Sequence, residues 1–351
     1  MTLYAVWTPI VPSKPLNRSS HSVAVIKAKA YIFGGELKPR TPLDSEIHVL
    51  DTQSGSVESV SAKSEDEAAP SPRVGSAMCA VGNDLYVWGG RGDKAMTPLP
   101  GDLFKFNTLT STWSVVEVAG SGRGDKPEDR SFHTLISSES TIYLHAGCPA
   151  KGRTGTLHSV NLSSNKPSWK KLASAPEPGR GGTNLAVLPV AKSTLARFGG
   201  FAGHELAGLD LYDVATNTWS SFLHLPGANP PARSVAGFVG LARSKELSDS
   251  RAALALLFLG EKDPTPPEVG HDGAGRFHDD VWVLVQRHET DGGLALEWLG
   301  PLERKDGSKG PSPRGWFGYA GYGLYGALMF GGLEDSNERA GDGWTLTIEE
   351  A

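Results

Sequence analysis

The apolar residues of this chain fall into short runs rich in β-branched and aromatic side chains, and six of the runs end in glycine, usually as a Gly-Gly pair. The six are Tyr31-Ile-Phe-Gly34-Gly35, Leu85-Tyr-Val-Trp-Gly89-Gly90, Ile142-Tyr-Leu-His-Ala146-Gly147, Leu195-Ala-Arg-Phe-Gly199-Gly200, Leu256-Leu-Phe-Leu259-Gly260 and Leu328-Met-Phe-Gly331-Gly332. Positions 34, 89, 146, 199, 259 and 331 are spaced by 55, 57, 53, 60 and 72 residues. No long segment carries apolar residues at the helical period. The second repeat is the clearest. It predicts strands over 73–81, 85–88, 102–106 and 112–116, with a hairpin turn at Gly82-Asn83-Asp84.

A period just above about 50 residues with four strand signals per repeat is the mark of a kelch-type β-propeller. The expected fold is therefore all-β, a single six-bladed propeller domain over 1–351. Its blades fall near 18–62, 73–118, 130–173, 180–224, 233–300 and 313–348. The last repeat runs out of chain before a fourth strand. Residues 3–8, Leu3-Tyr-Ala-Val-Trp7-Thr, form an unassigned strand ahead of the first repeat. They are expected to complete blade six, which removes the open edge that invites association.

A further regularity lies in the outer strands. Leu50 precedes Val57, Phe106 precedes Trp113, Leu162 precedes Trp169 and Tyr212 precedes Trp219, each by seven residues. These large residues suit the space between splayed blades. The polar stretch from Ala242 to Ser250 is expected to be a flexible excursion on the face away from any site.

Composition narrows the function classes. The 43 glycines and 24 prolines fit many short strands and tight turns. A net charge of −5 gives no basic field for nucleic acid. No apolar stretch approaches the ~20 residues needed to span a bilayer, so no membrane partner is expected. The N-terminal segment has no cationic start and only a short apolar run, so no signal peptide is expected. The two cysteines, Cys79 and Cys148, read as reduced and structural in a cytoplasmic or also nuclear protein.

Strand direction decides which loops can share a site. In an up-down-up-down blade, the loop leading into strand one and the loop joining strands two and three lie on one face. The first set carries an arginine in each blade: Arg18, Arg73, Arg130, Arg180, Arg233 and Arg314. These are expected to bridge neighbouring blades through carbonyls and to make that end of the channel electropositive. The second set supplies Glu36, Arg91, Arg153, His204 and a long blade-five segment. Within it, Glu261, Asp263, Glu268 and His271 offer carboxylate and imidazole ligands for a divalent metal such as Fe²⁺.

The loop words extend a resemblance over almost the whole chain. Arg18-Ser-Ser-His21, Phe33-Gly-Gly-Glu36, Gly89-Gly90-Arg91, Arg130-Ser-Phe-His133, Gly260-Glu261, Gly270-His271, Pro313-Arg-Gly-Trp316 and Ser336-Asn-Glu-Arg339 resemble the plant nitrile-specifier and epithiospecifier proteins. That family acts on glucosinolate breakdown products. The resemblance implies Fe²⁺ held by a Glu, an Asp and a His at regular four-residue steps in the blade-five loop. It also implies arginines from the blade-two and blade-three loops on the sulfate of an unstable aglycone. Arg91 and Arg153 take those arginine positions, Glu261 the first acid and His271 the histidine. Here the pattern breaks: Glu261 and His271 are ten residues apart, and Pro267 stands at the middle position counted back from His271. Glu268, or Asp263 as the alternative, then has to supply the missing ligand.

Two functions are expected to compete. One is a specifier-like protein, lyase- or isomerase-like and metal-assisted, that binds a small reactive anion through Arg91 and Arg153 and redirects its breakdown. The other is a noncatalytic kelch scaffold that takes an acidic peptide of a protein partner on the arginine-bearing face.

Overall fold

The computed structural model describes residues 2–61, 68–120, 124–266, 268–287, 295–305 and 308–351, with Gly120 and His271 described by their backbone only. Six antiparallel sheets follow one another along the chain. Blade one is built from Ser22–Ile26, Lys29–Phe33, Ile47–Asp51 and Val57–Val60. Blade two comprises Ala77–Val81, Asp84–Trp88, Leu103–Asn107 and Thr112–Val116. Blade three comprises Thr134–Ser138, Thr141–His145, Leu157–Asn161 and Ser168–Lys171. Blade four comprises Asn184–Leu188, Thr194–Phe198, Leu209–Asp213 and Thr218–Phe222. Blade five comprises Gly237–Glu246, Arg251–Phe258, Val281–Arg287 and Ala295–Leu299.

Blade six joins the two ends of the chain. Gly318–Tyr322, Gly326–Phe330 and Gly343–Glu350 supply three strands, and Leu3–Ile10 pairs antiparallel with the last of them from Leu3↔Glu350 to Ile10↔Gly343. The predicted closure is therefore present. Leu3, Ala5, Trp7 and Ile10 turn inward and are buried. The alternation of the strand seats Leu3, Ala5 and Trp7 against blade five, while Ile10, on its other side, packs against blade one.

One apolar cluster fills each gap between neighbouring blades among the described residues. Phe106 faces Trp113 and Tyr212 faces Trp219 across their strands, as the seven-residue spacing predicts. Blade three differs, because Trp169 pairs with Val160 and not with Leu162. Its turn is longer by two residues, so the spacing survives while the register shifts.

One further expectation is corrected. The stretch from Ala242 to Ser250 is not a loose excursion but the prolonged tip of the blade-five hairpin. Leu247 is buried, and Lys245 Nζ donates to the carbonyl of Ile348 at 2.7 Å, tying the tip to blade six. The third strand of blade five begins at Val281, and Asp280 just before it accepts from Arg233 Nη1 at 2.6 Å. No helix of the described residues is long and apolar enough to cross a membrane.

A candidate anion- and metal-binding mouth

The leading arginines are scaffold. Each is buried, and each donates Nη1 to the carbonyl of the residue that ends its own blade's second strand: Gly34, Gly89, Ala146, Gly199, Leu259 and Gly331, at 2.9–3.3 Å. The arginine's own carbonyl accepts from the second glycine of the preceding blade, for example Gly35 N to Arg73 O at 2.9 Å. The last such bond, Gly332 N to Arg18 O, closes the circle. Blade-to-blade bridging is thus made by the arginine backbone, and the guanidinium staples its own blade. Arg18, Arg233 and Arg314 are further neutralised by Asp44, Asp280 and Asp342. The six guanidiniums are buried within their own blades and do not line the mouth as exposed charges.

The glycine endings gain their meaning from this geometry. The first residue of each has φ between 54° and 68°, and the glycine after it between 90° and 110°. A side chain on Gly199 would overlap the carbonyl of Arg233. Ala146 and Leu259 adopt the same left-handed conformation with a Cβ, at a cost of ~1–2 kcal/mol each.

Two residues after each leading arginine, Ser20, Gly75, Phe132, Gly182, Val235 and Trp316 form an inner ring. Each N–H donates to the carbonyl of its neighbour around the axis, at 2.7–3.2 Å, and the ring closes from Ser20 to Trp316. All six have φ between 44° and 65°. Phe132 and Trp316, from blades three and six, pack edge to face at 5.4 Å and floor the mouth above them. Beneath lies a channel of about 540 Å³, lined by the first strands of the blades.

Above the ring, the residue following each glycine pair faces the mouth from one blade: Glu36, Arg91, Cys148, Phe201, Glu261 and Leu333. Each pairs with the residue after a leading arginine, as in Val74↔Arg91 and Ser234↔Glu261. Arg91 reaches toward blade three, where Nε donates to Ser131 Oγ at 2.6 Å and Nη2 to the carbonyls of Cys148 and Pro149, both at 3.1 Å. Arg153 is exposed and lies over the ring of Phe201 at 4.6 Å. Arg91 thus contacts the backbone of Cys148, and both arginines predicted to bind an anion act electrostatically on its thiol. Burial pushes its thiol pKa up, against the pull of both guanidiniums.

The opposite side of the mouth is acidic. Glu261 is buried, and burial together with Glu205 pushes its carboxyl up to about 8. Glu205 is buried too, accepts from Ser234 Oγ at 3.4 Å, and has its carboxyl raised by the same burial. Glu36 is raised by burial against a hydrogen bond from Arg40 N at 2.6 Å, with Arg339 nearby. Sequence reasoning missed Glu205, Trp316 and the position of Cys148. The last was findable, since it follows a glycine pair as Arg91 and Glu261 do.

The blade-five loop is held by its neighbour: Asn337 Nδ2 donates to Asp272 O at 2.8 Å, and Phe277 N to Asp335 Oδ1 at 3.2 Å. Glu268, Asp263 and His204 are exposed. His271 sits in the short 3₁₀ turn Gly270–Asp272, its side chain and Pro267 lying outside the described residues. Among the described residues, no three of His, Cys, Asp and Glu converge as a metal-binding set. The carboxylate part of the donor set still fits a divalent cation. Glu261 and Glu205 are both buried, and the lack of a side chain at Gly275 is what lets Glu261 Oε1 pack against its backbone.

Six four-stranded blades stapled by arginine and closed by the N-terminal strand define a kelch-repeat propeller. The chain belongs to the kelch-repeats domain family described for KLHDC2, KLHL20 and DRC7, which matches residues 20–245. Over 96% of its length it is 28% identical to an N-(sulfonatooxy)prop-2-enimidothioate sulfolyase of Thlaspi arvense, covering 94% of that protein. This relative carries the resemblance to the plant specifier proteins. An acyl-CoA-binding domain-containing protein 4 of Arabidopsis thaliana is 26% identical over 68% of this chain and 36% of its own. The solved structure of YjhT superposes with a TM-score of 0.66 at 15% identity, over 97% of this chain and 100% of that one, and shares the fold.

Proposed function

We propose that this protein is a specifier-like kelch protein that binds a small, reactive, anionic metabolite in the mouth and redirects its breakdown. The observation that carries the reading is the shared electrostatic action of Arg91 and Arg153 on Cys148, opposite the buried Glu261. Three bonds to blade three pin Arg91 and leave its Nη1 edge without a hydrogen bond among the described residues. The stacking of Arg153 on Phe201 likewise leaves its N–H edge available. Two guanidinium edges set in advance suit an oxyanion such as a sulfate ester. The sulfolyase relative acts, by its name, on a sulfonatooxy compound.

Glu261, Glu268 and His271, with Asp263 as the alternative, would hold Fe²⁺, which supplies Lewis acidity or an electron. Without a bound cation, Glu261 keeps its proton near neutral pH, because burial and Glu205 disfavour its charge. Phe132 and Trp316 stand between the mouth and the channel below.

The test is titration with inorganic sulfate and with a short alkyl sulfate, followed by calorimetry. Arg91→Ala and Arg153→Ala should each weaken binding by about tenfold, in line with loss of a charge-assisted contact. Unchanged affinity in both variants would overturn the anion site. Anaerobic loading with Fe²⁺ of the wild type, Glu261→Ala and His271→Ala tests the metal in parallel.

A further inference from the structure

Beneath the aromatic floor, the channel of about 540 Å³ is a second space of ligand size, and its walls differ in chemistry from the mouth above. The mouth is lined by arginines and carboxylates. Among the described residues that line the channel there is no Asp, Glu, Lys or Arg. The ionisable groups that do line it are held neutral. Burial with Arg18 or Arg130 keeps His21 and His133 down to about 3, and burial pushes the Cys79 thiol and the Tyr319 phenol up.

Several of its hydroxyls are spent on the wall itself. Ser22 Oγ donates to Ser76 O at 2.8 Å, Thr134 Oγ1 to Thr183 O at 2.7 Å and Ser137 Oγ to Ala80 O at 2.7 Å, so each satisfies a carbonyl of the neighbouring blade. Tyr319, from blade six, donates to Asn184 Oδ1 of blade four at 2.9 Å. Half-buried Val25, Ala80, Ile136, Val187 and Ala320 add aliphatic surface to the lining. The channel runs on to the hairpin ends at Ser138, Pro189 and Gly321, away from the mouth. An ion drawn into such a space loses its water and meets no counter-charge, whereas an apolar body gains by leaving water.

We propose that the channel is a second binding site, for an uncharged small molecule with an aliphatic body, entered from the face opposite the anion mouth. The two sites share only the floor, since Phe132 and Trp316 line the channel at its mouth end. One propeller would thus take a small anion at one end of its axis and a neutral, chiefly hydrocarbon compound at the other. The channel site stands whether or not the mouth binds an oxyanion.

The probes are n-octanol and octanoate, equal in chain length and different in charge, followed by saturation-transfer NMR and calorimetry at neutral pH. Octanol should bind saturably, and octanoate at least about tenfold more weakly. Val187→Trp and Ala80→Leu, which place bulk in the lumen, should each weaken octanol binding by about tenfold or more, with circular dichroism as the check on folding. Lack of saturable octanol binding by wild type would overturn the site. Equal affinity for octanoate would overturn its uncharged class, a comparison that needs no variant. Wild-type affinity in both folded variants would place octanol elsewhere and overturn the channel as its seat.

Discussion

Phe132 and Trp316 meet edge to face at 5.4 Å across the propeller axis, one carried by blade three and the other by blade six. Both stand in left-handed backbone conformations, with φ of 52° and 59°, within a ring of backbone hydrogen bonds that fixes them. The contact makes one end of the channel the floor of a binding mouth. Strain at these positions is sustained because the ring over-determines it.

A double-mutant cycle measures that floor. Phe132→Ala and Trp316→Ala should couple by about 1 kcal/mol in urea unfolding, the usual worth of an aromatic pair beyond its buried area. Additive losses would show that the two rings do not meet in solution.

The leading arginines and the mouth arginines should separate cleanly by experiment. Arg233 is wholly buried, donates to Leu259 O at 2.9 Å and forks onto Asp280 at 2.6 and 2.8 Å. Removing it in Arg233→Ala leaves the Leu259 carbonyl without its donor and the half-buried Asp280 with Trp282 Nε1 as its side-chain donor, and should cost about 3–5 kcal/mol. Arg153→Ala should change stability by less than about 0.5 kcal/mol, since the side chain is exposed, while weakening sulfate binding. Equal stability losses in the two variants would contradict the division into scaffold and site.

Acid should destabilise the fold well above the carboxylate range. Burial, with Arg18 and Arg130 adding repulsion, holds His21 and His133 down to about 3, and burial with Arg130 holds His158 down to about 4. In the unfolded chain these rings titrate near 6.5. The unfolded state therefore binds more protons below that pH, and stability falls from about pH 6.5 toward pH 3 by up to about 1.4 kcal/mol per pH unit per ring. His133→Phe should flatten that slope by one ring's share, because Phe317 already fills the equivalent place in blade six. An unchanged slope in denaturant titrations between pH 6.5 and 4 would show that His133 is not held neutral.

Much of the fold is legible along the chain because its signals are local. Each Gly-Gly ending marks the one backbone turn that places an arginine carbonyl against the next blade, and few residues but glycine fit it. Closure by Leu3–Ile10 is legible too, since the last repeat lacks a strand and the N-terminus holds a spare one. The fate of the leading arginines was not legible. A guanidinium pointing at solvent and one stapled to Gly34 O have the same sequence, and only the packed blade distinguishes them.

The sequence by itself determined six blades, their order, the strand that closes them, and the face that Arg91, Arg153 and Glu261 share. These follow from strand period and direction, which are properties of neighbouring residues. Only the tertiary structure decided that Arg91 and Arg153 both act on the Cys148 thiol, that Glu205 helps to raise the carboxyl of Glu261, and that Phe132 reaches Trp316. Those pairings join residues from different blades, and the curvature that brings blades together is set by side chains packing between sheets, which no single repeat contains.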